Sequence, residues 1–295
     1  VPSKYDQIFR VQDTDMRYIQ VQQWQTYGAP AHRLGGEPVQ LGTFIDSYSK
    51  QYVVANYALG DTIFKEDVDD DLYGIIHRVL PQRGGALAES FRTLKERLAA
   101  NWFKLYGFTS ATQVPGMIDG LSLANTAHPI SKQNAAYTYS NRPSVDIDLS
   151  IAAYQAARAN LVQQPAPNNY AYMDNAPDVC VINPNLHQVA YQIFNDPKER
   201  GTADNQSNTA ARDGVSIIEW PYWQVSGSVG GTYTTPAYNG WMILGKKHHL
   251  EWYKRSDVVV DSDWILNVQS YLYVATERFA WGASDGRGIY ASPGT

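Results

Sequence analysis

The chain has 295 residues, and 24 Lys and Arg against 29 Asp and Glu leave a formal net charge of −5, which argues against a nucleic-acid coat held by charge. With 18% charged and 44% hydrophobic residues it is far from a disordered composition, and its one cysteine excludes an internal disulfide framework or a cysteine metal cluster. No run of about 18 apolar residues offers a membrane-spanning helix, and the start, VPSKYDQIFR, lacks the basic-then-apolar order of a secretory signal. The surplus is aromatic, 21 Tyr and 8 Trp, residues whose apolar area and polar handle suit extensive protein interfaces or sugar-binding surfaces.

Residues 1–27 mix apolar and polar groups without a clean period of 2 or 3.6 and end in Gly28-Ala29-Pro30, which predicts an extended arm. Residues 33–65 read as a long hairpin, with a Gly35-Gly36 turn signal, then Val39, Leu41, Thr43 and Ile45, and later Tyr52 and Val54. A lone hairpin is marginal in water, so this element is expected to lean on a neighbour. The acidic run Glu66-Asp67-Val68-Asp69-Asp70-Asp71 suits a helix start, where the macrodipole favours negative charge. Pro81 and Gly84-Gly85 are expected to break or kink that first helix. A second then carries an apolar stripe through Leu87, Phe91, Leu94, Leu98, Trp102 and Leu105, a rod of about 30 Å from Gly85 to Tyr106.

Residues 107–148 read as loop with a short hairpin, and Ser150 opens a helix through Gln163 that Pro165-Ala166-Pro167 closes. A buried strand follows over 178–184, then a helix opened by Pro184 or Asn185, then a long exposed loop over 196–214, which lacks any large apolar residue. Short strands are predicted at 216–220, 240–244 and 250–253, and a long strand at 267–281. Asp285-Gly286-Arg287-Gly288 is a turn before a short return strand at Ile289-Tyr290.

Little of this points to catalysis. Cys180 sits between Val179 and Val181-Ile182 and reads as a buried inert thiol. His248-His249 lacks any spacing that completes a metal site, the 66–71 run lacks the glycine and alternation of a calcium loop, and Gly230-Gly231 has no following Lys or helix to cradle a phosphate. Residues 83–104 carry five basic and two acidic residues, which a solvated helix face explains as well as polyanion contact does. Paired carboxylates converge in space rather than in sequence, and nothing here indicates such a pair.

Several passages carry a more specific signal: EDVDDDLYGII, LAESFRTLKERLAANWFKLYG, DGLSLANTAHP, NRPSVDIDLSIAAYQAAR, VCVINPNLHQVAYQIF and ERFAWGASDGRGIYASPG. The sharpest are Asp119, Gly120, Leu123, Thr126, His128 and Pro129, and the terminal WG…D-x-RG-x-Y-x-SPG. In order and spacing over about residues 30–295 they resemble the major capsid proteins of tailed bacteriophages, the Hong Kong 97-type family.

That resemblance implies an α+β, Hong Kong 97-like capsid fold. Residues 1–29 would be the N-arm, 30–65 the E-loop hairpin, and 66–149 the P domain with its spine helix at about 85–106. Residues 150–263 would form the A domain, a central sheet flanked by helices whose loops, including 196–214, approach the five-fold and six-fold axes. Residues 264–282 would return as the long P-domain strand and 283–295 as the C-terminal return strand. Inter-subunit contacts are expected at Trp24, Tyr27, Arg33, Leu34, Tyr48, Lys50, Tyr52, Arg92 and Lys95.

The implied function is that of a major capsid (head) protein of a tailed double-stranded DNA phage, assembling as pentamers and hexamers into an icosahedral shell in the host cytoplasm. Its partners would be copies of itself, portal, scaffolding or decoration proteins, and packaged DNA held weakly. It would be no enzyme and need no cofactor or metal. Some relatives weld their shells through a Lys–Asn isopeptide bond; Lys50 and Lys65 are the E-loop lysines here, no passage marks an acceptor, and cross-linking is not expected. The alternatives are a carbohydrate-binding or carbohydrate-active protein, or a phage tail or fibre component.

Overall fold

The computed structural model describes residues 3–25, 27–42, 44–103, 107–108, 117–133, 135–168, 171–199, 206–224 and 239–294. In chain order its elements are α1 (Tyr5–Ile8), β1 (Arg10–Asp13), β2 (Tyr18–Gln25), β3 (Ile45–Val53), β4 (Ala55–Phe64), α2 (Lys65–Asp69) and α3 (Ile75–Asn101). Then come β5 (His128–Pro129), β6 (Thr138–Tyr139), α4 (Ile151–Gln163), β7 (Pro177–Ile182), α5 (His187–Phe194), β8 (Ser216–Glu219), β9 (Trp241–Gly245), β10 (Leu250–Ile265), β11 (Ser270–Ala283) and β12 (Ile289–Ser292).

Two four-stranded sheets organise the molecule. The first, ordered β1-β10-β11-β4, is a long ribbon backed by α3 through Leu87 and Phe91 against Ala275, Tyr57 and Tyr273. The second, β12-β9-β7-β8, is flanked by α4 and α5, whose Tyr154, Leu161, Ile193 and Phe194 bury against Cys180, Ile182, Trp241 and Tyr290. This is the expected α+β arrangement. Between the two lies the main core, where Ile8, Phe9, Trp102, Phe103, Trp220, Trp223, Trp252 and Phe279 meet. Trp102, Trp220, Trp223, Trp241 and Trp252 are buried, five of the eight tryptophans, whereas Tyr18, Tyr27, Tyr73, Tyr137, Tyr172, Tyr191 and Tyr271 are exposed, so it is the tryptophan part of the aromatic surplus that fills the interior. Among the described residues no helix is long and apolar enough to cross a membrane.

Several predicted elements hold. Ser150 caps α4, its hydroxyl accepting from the Ala153 N–H at 3.1 Å, and β7 is the buried strand expected over 178–184. The short hairpin in 107–148 is β5–β6, and the return strand is β12 on β9.

Five expectations need correction. The first 27 residues are no free arm: α1 sends Ile8 and Phe9 into the core, β1 adds in parallel to β10, and β2 joins another sheet, which is why no single period ran through them. The hairpin expected within 33–65 forms instead between β2 and β3, from Tyr18↔Val53 to Gln25↔Ile45, while β4 turns away at Val54 to pair with β11. The spine helix is not broken at Pro81 and Gly84-Gly85; α3 is continuous over 27 residues. A proline removes one intrahelical bond, and the packing of Leu87 and Phe91 on the ribbon outweighs that loss. Beyond Phe103 the predicted end of the stripe, Leu105 and Tyr106, lies outside the described residues, as does Gly230-Gly231.

The short strand at 250–253 is really the 16-residue β10, paired along β11 from Leu250↔Ala283 to Ile265↔Ser270. Its outer half runs Val258-Val259-Val260 straight into Asp261-Ser262-Asp263, blocks without the alternation that marks a strand, and pairing rather than alternation orders it. Residues 250–263, assigned above to the A domain, therefore belong to the long ribbon. Within 196–214, residues 200–205 lie outside the described residues, but the rest is not a free loop. Asn208 is buried and donates to the carbonyls of Ile193 and Asp196 at 2.8 and 2.9 Å, closing the end of α5, and Ala210 enters the core.

Candidate assembly surfaces and the polar node beneath them

The N-terminal segment is held at two points. Ile8 and Phe9 enter the core, Phe9 lying 5.6 Å from Phe103 and from Trp252 between ring centroids. Glu96 of α3 is 4% exposed, and its Oε1 accepts from the backbone N–H groups of Lys4 and Tyr5 at 2.6 and 3.3 Å, while Oε2 accepts from the Trp220 indole at 2.7 Å. A buried carboxylate is stable only with such donors, and here they are the free N–H groups of the chain entering α1.

The β2–β3 hairpin is half inside the molecule and half outside. Its root packs through Tyr52, Val54, Ile19 and Val21 on Tyr253 and Ala280. Gly282 makes this possible, since a Cβ there would lie 2.2 Å from the Tyr52 ring, and the Tyr52 hydroxyl donates to the Ala283 carbonyl at 2.8 Å. At the other end, residues 27–42 leave the core altogether. Gly36, at φ +92°, makes the expected turn, closed by the Glu37 N–H to the Leu34 carbonyl at 3.2 Å. Leu34, Val39 and Leu41 are 61%, 65% and 90% exposed, and Tyr27, Pro30, Arg33, Val39 and Leu41 line an open hollow of about 500 Å³.

The nine expected contact residues separate accordingly. Trp24, stacked on Phe44 at 5.2 Å, and Tyr27, Arg33 and Leu34 stand on the exposed part of the hairpin. Tyr48 is half-buried at its base, where desolvation raises its pKa. The Lys50 ammonium donates to the Met117 carbonyl at 3.0 Å, and desolvation, partly offset by Asp119, lowers its pKa. Tyr52, expected at an interface, is instead committed to its own chain. On α3, Arg92 pairs with Glu89 one turn away, and Lys95 pairs with Glu277 at 2.8 Å. Burial alone would lower the Lys95 pKa, but the Glu277 carboxylate and Tyr5 more than offset it. Arg83 pairs with Asp61 at 2.9 Å, so these helix cations are matched inside the chain.

Beneath the hairpin lies a node built from the two sharpest sequence passages. Asp119 Oδ2 lies 2.7 Å from His128 Nδ1, and the His128 ring stacks on Tyr139. Asn141 donates to the carbonyls of Leu123 and Gly286 at 2.8 and 3.0 Å, linking the two passages directly. Arg287, 1% exposed, donates to Asp285 at 2.7 Å, to the Ile130 carbonyl at 2.7 Å and to the Pro165 carbonyl at 2.6 Å, and lies over the Tyr139 ring. Desolvation would raise the Asp285 pKa, yet the Arg287 charge and N–H hold it below the ordinary carboxylate value. The two passages are far apart in sequence, and the fold joins them in space.

Burial pushes the Cys180 thiol well up, where it is un-ionised and unreactive. His248 is driven down to about 4 by desolvation and by the nearby Arg10 and His249 charges. Among the described residues no group of three or more His, Cys, Asp and Glu is placed to hold a metal ion.

A family model described as phage capsid protein matches residues 47–292. No curated protein matches the chain. Solved structures do, among them the capsid of the cyanophage P-SCSP1u, 14% identical with a TM-score of 0.60, the match covering 100% of this chain and 88% of that one. The mature capsid of bacteriophage PhiM1 matches at 12% identity and TM-score 0.57, over 100% of this chain and 88% of that one. The SrpI encapsulin complex from Synechococcus elongatus matches at 9% and 0.54, over 97% and 85%. At these identities the structures testify to the fold.

Proposed function

The chain belongs to the phage capsid protein family, and from that premise we propose that it is the subunit from which a tailed double-stranded DNA phage builds its head, assembling as pentamers and hexamers into an icosahedral shell around the genome. It is a major capsid protein of the Hong Kong 97 type. The observation that carries the assembly reading is the hairpin tip, because residues 27–42 form no core and present Leu34, Val39 and Leu41 to solvent. Apolar groups gathered on a projecting element mark an interaction surface.

In this reading the E-loop is the β2–β3 hairpin and its tip, residues 18–53. The P domain is α3 with the ribbon β4, β10 and β11, and the A domain is the second sheet with α4 and α5. The exposed Trp24, Tyr27, Arg33 and Leu34 are the side chains offered to a neighbouring copy. Portal, scaffolding or decoration proteins complete the head, which assembles in the host cytoplasm before entering the virion. Packaged DNA is held weakly, in keeping with a net charge of −5 and with Arg83, Arg92 and Lys95 of α3 paired to carboxylates of the chain. The work is assembly rather than catalysis.

Expression alone or with the neighbouring phage genes, followed by sedimentation and negative-stain electron microscopy, tests this. Closed particles or capsomer rings are the expected result. A monodisperse monomer or dimer under both conditions would overturn the assembly reading.

A further inference from the structure

The β2–β3 ladder contains one irregularity. Gln22 faces Ser49 and Trp24 faces Asp46, so Gln23 stands opposite both Ser47 and Tyr48. A bulge of this kind re-aims side chains, and in a hairpin with one buried face it is a device rather than a defect. Here it brings the Gln23 and Ser47 side chains together, the Ser47 hydroxyl donating to Gln23 Oε1 at 3.2 Å. Both then reach out of the hairpin into the polar node. Gln23 Nε2 donates to Asp285 Oδ2 at 2.9 Å, and the buried Ser47 hydroxyl accepts from the Lys132 N–H at 3.0 Å. On either side, Ser131 donates to Gln25 at 3.2 Å and Gln133 donates to the Asp46 carbonyl. Lys50 reaches the Met117 carbonyl, and farther out Asn168 Nδ2 donates to the Tyr27 carbonyl at 2.9 Å.

The hairpin is thus attached in two chemically different ways. At its root Tyr52, Val54, Ile19 and Val21 form an apolar pivot, which loses buried area if it opens. Farther out, at the bulge, the attachment is almost entirely polar, and such bonds exchange for bonds to water at a small net change each. Under load the polar attachment yields first.

We infer that Gln23 and Ser47 are positioning residues of a releasable latch: the bulge ties the hairpin to Asp285 and to residues 131–133, fixing the angle at which the tip leaves the molecule, while the Tyr52–Val54 pivot keeps the hairpin attached when the latch opens. This rests on the capsid reading for its purpose, which is to let identical subunits present the tip at more than one angle, but not for its geometry. Asp285 keeps its Arg287 partner when the latch opens, so release leaves no unpaired buried charge.

The test is amide hydrogen exchange on the unassembled full chain, comparing wild type with the double variant Gln23→Ala, Ser47→Ala. The expected result is exchange on the order of tenfold faster over residues 18–25 and 45–50, with faster proteolysis within 27–42. Protection at residues 52–54 and in both sheets, and the melting temperature, should stay near wild type. Unchanged exchange in the hairpin, or a loss of protection spread over the whole chain, would overturn the latch. If the double variant does not fold, Gln23→Ala alone decides, since it leaves the Asp285–Arg287 pair and the Ser47–Lys132 bond in place. Failure of the wild type to form shells would count against the capsid reading and leave the exchange result standing.

Discussion

At the scale of single residues, buried polar groups with dedicated partners hold together segments far apart in sequence. Glu96 is the clearest case. Its two oxygens hold the entrance to α1 on one side and the Trp220 indole on the other, across 92 and 124 positions of sequence. Hydrogen bonds to a charged acceptor each contribute about 1.5–3 kcal/mol, and removing the acceptor leaves buried donors unpaired. Glu96→Ala is therefore expected to cost about 3 kcal/mol of stability and to expose Lys4 and Arg10 to trypsin, which denaturant titration and mass spectrometry of the fragments will show. Continued protection of both sites would mean that Ile8 and Phe9 suffice to hold α1. Nothing in the sequence announced this role, since Glu96 reads there as a polar position beside an apolar stripe. Its function depends on a chain end and a tryptophan that only the fold brings near.

At the scale of elements, α3 shows a helix kept by its context against its own composition. Pro81, Gly84 and Gly85 read as a break, and their propensities favour one, but Leu87 and Phe91 are packed on the ribbon and the helix runs through unbroken. A Cβ added at Gly84 or at Gly85 would meet no atom within 4 Å. Replacing either by alanine is thus expected to stabilise the protein by about 1 kcal/mol and raise its melting temperature by about 2–4 °C. A fall in thermal melting would show that the helix needs its freedom there. The elements legible in the sequence, α4, β7, β12 and the body of α3, are those whose apolar pattern matches one face of a single partner. The illegible ones, β1, β2 and the outer half of β10, are ordered by strand pairing with segments far away in sequence. Polar residues such as Asp261 and Asp263 carry no periodic trace of that pairing.

At the scale of the molecule, the fold is one that a cyanophage capsid and an encapsulin share with this chain, at TM-scores of 0.60 and 0.54. The family match over residues 47–292 is what makes it a capsid protein. The sequence contained the pieces of the polar node as separate passages, Asp119 to Pro129 and Asp285 to Arg287, but not their junction, since Tyr139 and Asp285 meet across 146 positions. It also misplaced the hairpin, and that changes which deletion tests the E-loop. Removing residues 33–60 would take away β3 and most of β4, whose pairing with β11 runs from Phe64 to Ala55, and would strip an edge from the ribbon that carries α3. Removing residues 27–42 and joining the ends by a short glycine-serine turn keeps β2, β3, the pivot and the bulge. It deletes the part whose apolar side chains have no partner within the chain's core. That variant is expected to melt within a few degrees of wild type, yet to sediment as free subunits or capsomers without closed shells. Normal shells from it would place the essential contacts on the body of the protein, and the hairpin tip would then be an ornament of the fold rather than the part that builds the head.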